Sequence, residues 1–113
     1  KQTPVENGGI GNIQYPLLAD ITKENSCNYC VLLEDKGIAL RGSFLIDKEG
    51  ILQHYLVNNL PMGRSIDEAL RMIDALQYTE KHGEVCPANW KDGADAMKPT
   101  QKGVSSYLAK HAK

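Results

Sequence analysis

The chain has 113 residues, a mass of 12.5 kDa, a net charge of −1, 42% hydrophobic and 24% charged residues. That length suits one domain of common size, and the composition is ordinary globular material, which excludes a disordered tail or a fibrous repeat. The near-neutral charge argues against a nucleic-acid binder with a basic face, and no apolar run nears the ~18 residues of a membrane span. Lys1-Gln2-Thr3-Pro4 leads into polar, glycine-rich sequence rather than the apolar region of a secretory leader, and the first residue is not Met, which predicts a piece of a gene product. Cys27, Cys30 and Cys86 are odd in number, whereas a small secreted scaffold pairs all its cysteines. Three thiols without a leader predict a reducing compartment, the cytosol.

In chain order, Lys1 to Tyr15 carries Gly8, Gly9 and Gly11 and predicts a loop. Leu17-Leu18 predicts a strand end. Asp20 or Thr22 offers an N-cap for a helix reaching about Leu33, and Glu34 to Gly37 predicts a turn. Ser43 to Ile46, then Asp47-Lys48-Glu49-Gly50, then Ile51 to Val57 predict a β-hairpin, with His54 and Tyr55 marking the second strand as an edge suited to pairing with another chain. Ser65 and Glu68 form a capping box in which each bonds the other's backbone N–H. Ile66, Ala69, Leu70, Ile73 and Leu76 then predict one apolar helix face, with Arg71, Asp74 and Gln77 turned away and Gly83 as the stop. From Glu84 the prolines, glycines and lysines predict an extended arm with one short helix near Val104 to Lys110. A hairpin with two or three helices is a poor core, which predicts the closing half of a larger α/β structure.

Cys86 is the most informative residue. It sits in Gly83-Glu84-Val85-Cys86-Pro87-Ala88-Asn89-Trp90, past the end of a strong helix and at the root of the arm. A thiol there is open to disulfide exchange; the alternative is a small buried hydrophobe, the common state of a free cysteine. Position alone leaves the two even.

That octapeptide resembles the resolving-cysteine motif of the typical 2-Cys peroxiredoxins. Gly8-Gly9-Ile10-Gly11 is similar to the family's Gly-Gly-Leu-Gly loop, Arg41 to Asp47 to its Arg-Gly-Leu-Phe-Ile-Ile-Asp strand, and Val57 to Ser65 to the segment entering its long helix. The resemblance implies a thioredoxin-like (peroxiredoxin) α/β fold, incomplete in this chain: residues 1–83 form the C-terminal part of the domain, and residues 84–113 an arm carrying the resolving cysteine. It implies a thiol-dependent peroxidase acting on hydrogen peroxide and alkyl hydroperoxides without metal, haem or flavin. A peroxidatic cysteine becomes a sulfenic acid, Cys86 of the partner subunit condenses with it, and thioredoxin or a similar dithiol protein reduces the disulfide. Arg41 matches the arginine beside the peroxidatic thiolate, where a guanidinium lowers a thiol pKa and binds peroxide oxygens, and Arg64 matches a second arginine that orients it. Read from the residues alone, the commoner state of either arginine is a solvated surface charge or an ion pair. The partners implied are a second copy of the chain, in a homodimer that can assemble into decameric rings.

Departures from the family bear on activity. The peroxidatic Pro-x-x-x-Thr-x-x-Cys motif is absent: Thr3, Thr22, Thr79 and Thr100 have no cysteine three residues on. The chain alone is therefore expected to be inactive. Tyr107-Leu108 stands where easily over-oxidised members carry Tyr-Phe, which predicts slower conversion to sulfinic acid. Cys27-Asn28-Tyr29-Cys30 falls late in its predicted helix, without the N-terminal dipole that activates such pairs. His54, His82 and His111 show no ligand spacing. The rival readings are a non-catalytic fragment or truncated paralogue acting as a dimer partner, and a C-x-x-C redox or zinc module.

Overall fold

Two short polar signals, Asp47 and Ser65, set the middle of the fold. The computed structural model describes residues 2–112; Lys1 and Lys113, the outer bounds of the two expected regions, lie outside the described residues. A 3-10 turn at Val5–Asn7 precedes α1 (Glu24–Asn28), β1 (Leu32–Leu33), β2 (Ile38–Ala39), β3 (Arg41–Ile46), β4 (Leu52–Asn58), α2 (Ile66–His82) and α3 (Gln101–His111).

The Asp47 carboxylate accepts the backbone N–H groups of Glu49 and Ile51 at 3.0 and 2.8 Å and the Gln53 side-chain amide at 2.8 Å. These bonds hold its carboxyl below the ordinary value, the Gln53 bond foremost. Gly50 takes the left-handed backbone that closes the turn, at φ 83°. The turn sets the antiparallel register of β3 and β4, with Phe44 opposite Tyr55 and Leu45 opposite His54. A bulge between Leu45 and Ile46 puts Ile46 opposite Leu52. The expected hairpin is present. β1 and β2 pair as a second, very short hairpin around the expected Glu34–Gly37 turn, which the sequence reading did not resolve as strands.

The sheet carries different neighbours on its two faces, as strand alternation requires. Leu45, His54 and Leu56 line a cavity of about 100 Å³ against Ala69, Met72 and Ile73 of α2. Phe44 meets Tyr29, just past α1, edge-on at 4.6 Å and stacks with Tyr55 at 6.4 Å. Gly42 is required here: a Cβ at that position would come within 2.6 Å of the Phe44 ring and 3.3 Å of Val31.

Expectations about the first two helices and the Leu17-Leu18 strand are corrected. The helix from Asp20 to Leu33 is only α1, five residues long. Lys23, not Asp20 or Thr22, holds its N-cap position; Asp20, three residues earlier, accepts the N–H groups of Asn25 and Ser26 and the Ser26 hydroxyl, and a left-handed Cys30 at φ 57° ends the helix early. Leu17 and Leu18 belong to no strand and are exposed. In α2, Ser65 accepts the Glu68 N–H at 3.2 Å as expected, a cap worth about 1 kcal/mol. The Glu68 carboxylate does not return the bond; it pairs with Arg71 at 2.7 Å. The buried face of α2 is also rotated. Ala75 is 8% exposed, while Ile66 and Leu70 are 70% and 54% exposed.

The C-terminal segment is folded rather than extended. Val85 and Met97 exchange both backbone bonds, at 2.8 and 3.0 Å, and the loop between them wraps Trp90. Trp90 is 2% exposed, its indole N–H donating to Ala94 O at 3.0 Å and its ring 5.0 Å from Tyr78. The short helix expected near Val104 to Lys110 is α3, capped by Thr100, which accepts the Gly103 N–H at 3.1 Å. Among the described residues the buried hydrophobic side chains are Val31, Ala75 and Trp90 alone. The radius of gyration is 18.9 Å, against about 13 Å for a compact chain of this length.

Candidate functional site

The site is built where α2 stops. Gly83 takes φ 64° and donates its N–H to Thr79 O at 2.9 Å, the left-handed C-terminal stop that turns the chain back along the helix. Three residues later Cys86 lies beside α2, its thiol 3.9 Å from the Ala75 carbonyl and half-buried. Burial pushes the Cys86 thiol up from its ordinary value; the Arg71 guanidinium opposes that, and the Glu84 carboxylate adds to it. The structure therefore holds Cys86 as a thiol and restrains it as a thiolate nucleophile while it lies docked.

Arg71 organises the surroundings. Two of its nitrogens pair with the Glu68 carboxylate at 2.7 and 2.8 Å, and a third donates to the Trp90 carbonyl at 2.9 Å. One side chain thus ties α2 to the loop that carries the cysteine. Tyr78 donates its hydroxyl to Glu84 at 2.8 Å, and that bond raises the Tyr78 pKa above its ordinary value. A groove of about 480 Å³ opens beside the thiol, between α2 and the hairpin, lined by Leu45, His54, Met72, Thr79 and Cys86 among others.

The two expected arginines lie together, away from Cys86. Arg41, the first residue of β3, donates through Nε to Leu60 O. Arg64 donates to Gly42 O at 2.7 Å, one residue along from Arg41, and Asn58 fixes the intervening loop through Gly63 O at 2.8 Å. Ala75, against which Cys86 rests, is ten residues beyond Ser65 on α2, about 15 Å along the axis. Arg64 thus stands just before the start of α2, whereas Cys86 rests against the middle of that helix. Cys27 and Cys30 are both exposed, Cys27 within α1 and Cys30 beyond its end. Among the described residues no three of His, Cys, Asp and Glu gather as metal ligands.

Two family models match: the AhpC/TSA family over residues 2–55 and the C-terminal domain of 1-Cys peroxiredoxin over residues 75–110. The chain belongs to the peroxiredoxin family. Peroxiredoxin-2 of Rattus norvegicus is 55% identical over 109 residues, 96% of this chain and 55% of that protein. Alkyl hydroperoxide reductase C of Helicobacter pylori strain J99 is 54% identical over 112 residues, 99% of this chain and 56% of that protein. The reduced 2-Cys peroxiredoxin of Plasmodium vivax superposes with a TM-score of 0.91 at 57% identity, over 96% of this chain and 56% of that one. The fold is therefore the thioredoxin-like peroxiredoxin fold, and the chain spans about half the length of the relatives it matches.

In this peroxiredoxin chain the sequence reading missed Arg71 as part of the cysteine site, and it placed Trp90 in the motif without foreseeing its burial. Helical periodicity turns Arg71 outward with Asp74 and Gln77. The signal that could have placed it was Glu68 three residues before it, an i,i+3 pair that fixes the guanidinium on one side of α2. Among the described residues no helix is long and apolar enough to cross a membrane.

Proposed function

We propose that the chain is the resolving half of a thioredoxin-dependent, two-cysteine peroxidase, with residues 84–113 as the arm that delivers Cys86. The observation carrying this is the state of Cys86: a half-buried thiol, raised in pKa by burial, parked on α2 in a loop held by one arginine and two backbone bonds. A resolving thiol must stay unreactive toward stray oxidants until its target sulfur is presented, and burial provides that restraint.

In the proposed reaction a peroxidatic thiolate outside this chain attacks hydrogen peroxide or an alkyl hydroperoxide. The O–O bond breaks, water or an alcohol leaves, and the thiolate becomes a sulfenic acid. Cys86 of a partner subunit gives up its proton and attacks the sulfenic sulfur; hydroxide leaves, takes up that proton as water, and an intersubunit disulfide remains. Thioredoxin or a similar dithiol protein then reduces it by exchange. Arg41 and Arg64 serve the peroxidatic end, their carbonyl bonds to Leu60 and Gly42 leaving further guanidinium N–H groups for a thiolate and peroxide oxygens. The free edge of β4 supports pairing with a second copy in a homodimer, with rings built from dimers. An odd number of cysteines, three, supports a reducing compartment, the cytosol, as the place of action.

The test is non-reducing intact mass of the full-length protein after one equivalent of hydrogen peroxide. The expected result is a covalent dimer, reversed by dithiothreitol, whose bridging peptide contains Cys86 and which Cys86→Ser abolishes. A dimer that survives Cys86→Ser, or a bridge mapped to Cys27 or Cys30, overturns the assignment. The absence of any bridge favours the non-catalytic dimer partner, a reading supported by the missing Pro-x-x-x-Thr-x-x-Cys motif within these 113 residues.

A further inference from the structure

The end of α1 has a geometry that this function does not use. Val31 N–H donates to Ser26 O at 3.0 Å and Cys30 N–H to Cys27 O at 2.9 Å. This is the paired 6→1 and 5→2 bonding of a Schellman stop, and it places Cys30 at the position after the cap, where the backbone turns left-handed. Its φ is 57°. Glycine fills such a position at least cost, because it has no Cβ to clash with the carbonyl. The chain places a cysteine there instead, with its only near neighbour of the same kind three residues earlier.

The same bond fixes the separation of the pair. A turn closed from the N–H of residue i+3 to the carbonyl of residue i keeps the two Cα atoms within about 7 Å, and disulfides span Cα separations of about 4.4–6.8 Å. Both side chains are exposed. The residues flanking them, Ser26 and Tyr29, line a groove of about 360 Å³ together with Asn25, Leu40, Gly42 and Arg64.

We propose that Cys27 and Cys30 form a second redox centre, a dithiol that exchanges with low-molecular-weight disulfides and closes to an intramolecular disulfide. One thiolate attacks a sulfur of the small disulfide; its S–S bond breaks, one small thiolate leaves and takes up a proton, and a mixed disulfide forms on the protein. The second cysteine loses its proton and attacks the protein-side sulfur, expelling the second small thiol. Two protein thiols are oxidised and one small disulfide is reduced to two thiols. The turn makes the second step intramolecular, so the mixed disulfide is short-lived. The centre is independent of the role proposed for Cys86.

The test uses the reduced full-length protein, without peroxide, treated with glutathione disulfide, quenched in acid and digested with trypsin. Cleavage after Lys23 and Lys36 gives a peptide holding Cys27 and Cys30 without Cys86. The expected wild-type peptide has lost two hydrogens and carries no glutathionyl group, while Cys27→Ser and Cys30→Ser each stop at a stable glutathionyl adduct on the remaining cysteine. A wild-type peptide that keeps both thiols, retains the adduct, or is joined to the Cys86 peptide overturns the proposal. Because the readout peptide lacks Cys86, failure of the peroxidase reading leaves this result interpretable, and the reverse also holds.

Discussion

Cys86 and Trp90 act as a pair, in which Cys86 supplies a thiol and Trp90 anchors the loop that holds it. The thiol is half-buried and its pKa is raised, chiefly by burial, whereas Cys27 and Cys30 are exposed. In the reduced protein at neutral pH, iodoacetamide is therefore expected to alkylate Cys86 more slowly than either of the others, with the lag shrinking as pH rises and the thiolate forms. Quantifying the three cysteine peptides over time checks this; equal rates would remove the restraint argued for the docked thiol. Trp90→Ala takes away the largest buried side chain and is expected to cost about 3–5 kcal/mol, measured by denaturant unfolding of the full-length protein. The motif around Cys86 was legible because it is contiguous. The guanidinium of Arg71 was not, because nothing in a helical periodicity says which loop will return to lie across it.

At the level of elements, legibility followed the strength of local instruction. The Asp47–Gly50 turn and the Ser65 cap are short-range hydrogen-bond arrangements written in four residues each, and the hairpin and α2 lie where they placed them. The α1 region misled because Asp20 does satisfy first-turn N–H groups, from ahead of the Lys23 cap, in a helix that its own Schellman stop ends after five residues. The apolar face of α2 was read from hydropathy alone, yet packing selected the Ala69, Met72 and Ala75 side instead of Ile66 and Leu70. For α3 the decisive contact is electrostatic: Asp95 accepts from Lys110 and, at 2.9 Å, pairs with His111. These bonds, Lys110 first, hold the Asp95 carboxyl below its ordinary value of 3.8. A depressed carboxyl stabilises in full above that ordinary value and loses its contribution as pH falls through the lower folded value. The protection of α3 amides, corrected for the intrinsic exchange rate, is thus expected to fall on acidification below about pH 3.8, and Asp95→Asn to flatten that part of the profile. An unchanged profile in the variant would count against the tether.

The molecule is an open structure: among the described residues three apolar side chains are buried, and the radius of gyration is 18.9 Å. Large apolar side chains face outward on the hairpin face turned away from α2 and along α2 itself, among them Tyr55, Val57, Ile66 and Leu70. Contiguous exposed apolar surface binds amphipathic dyes and promotes association. The 113-residue chain produced alone is expected to enhance anilinonaphthalene sulfonate fluorescence strongly, and Leu70→Lys to lower that signal; equal signals would exclude the α2 stripe as the binding surface. The loop between Val85 and Met97 has a further consequence, an optical one. Cys86 is separated from Trp90 by three residues, and Trp90 is the only tryptophan of this chain. A thiol that leaves α2 far enough to meet another sulfur pulls the indole out of its place beside Tyr78 and away from the Ala94 carbonyl. In the 113-residue chain the emission wavelength of that indole then records each departure and return of the loop, so its opening rate can be followed by stopped-flow fluorescence without any label.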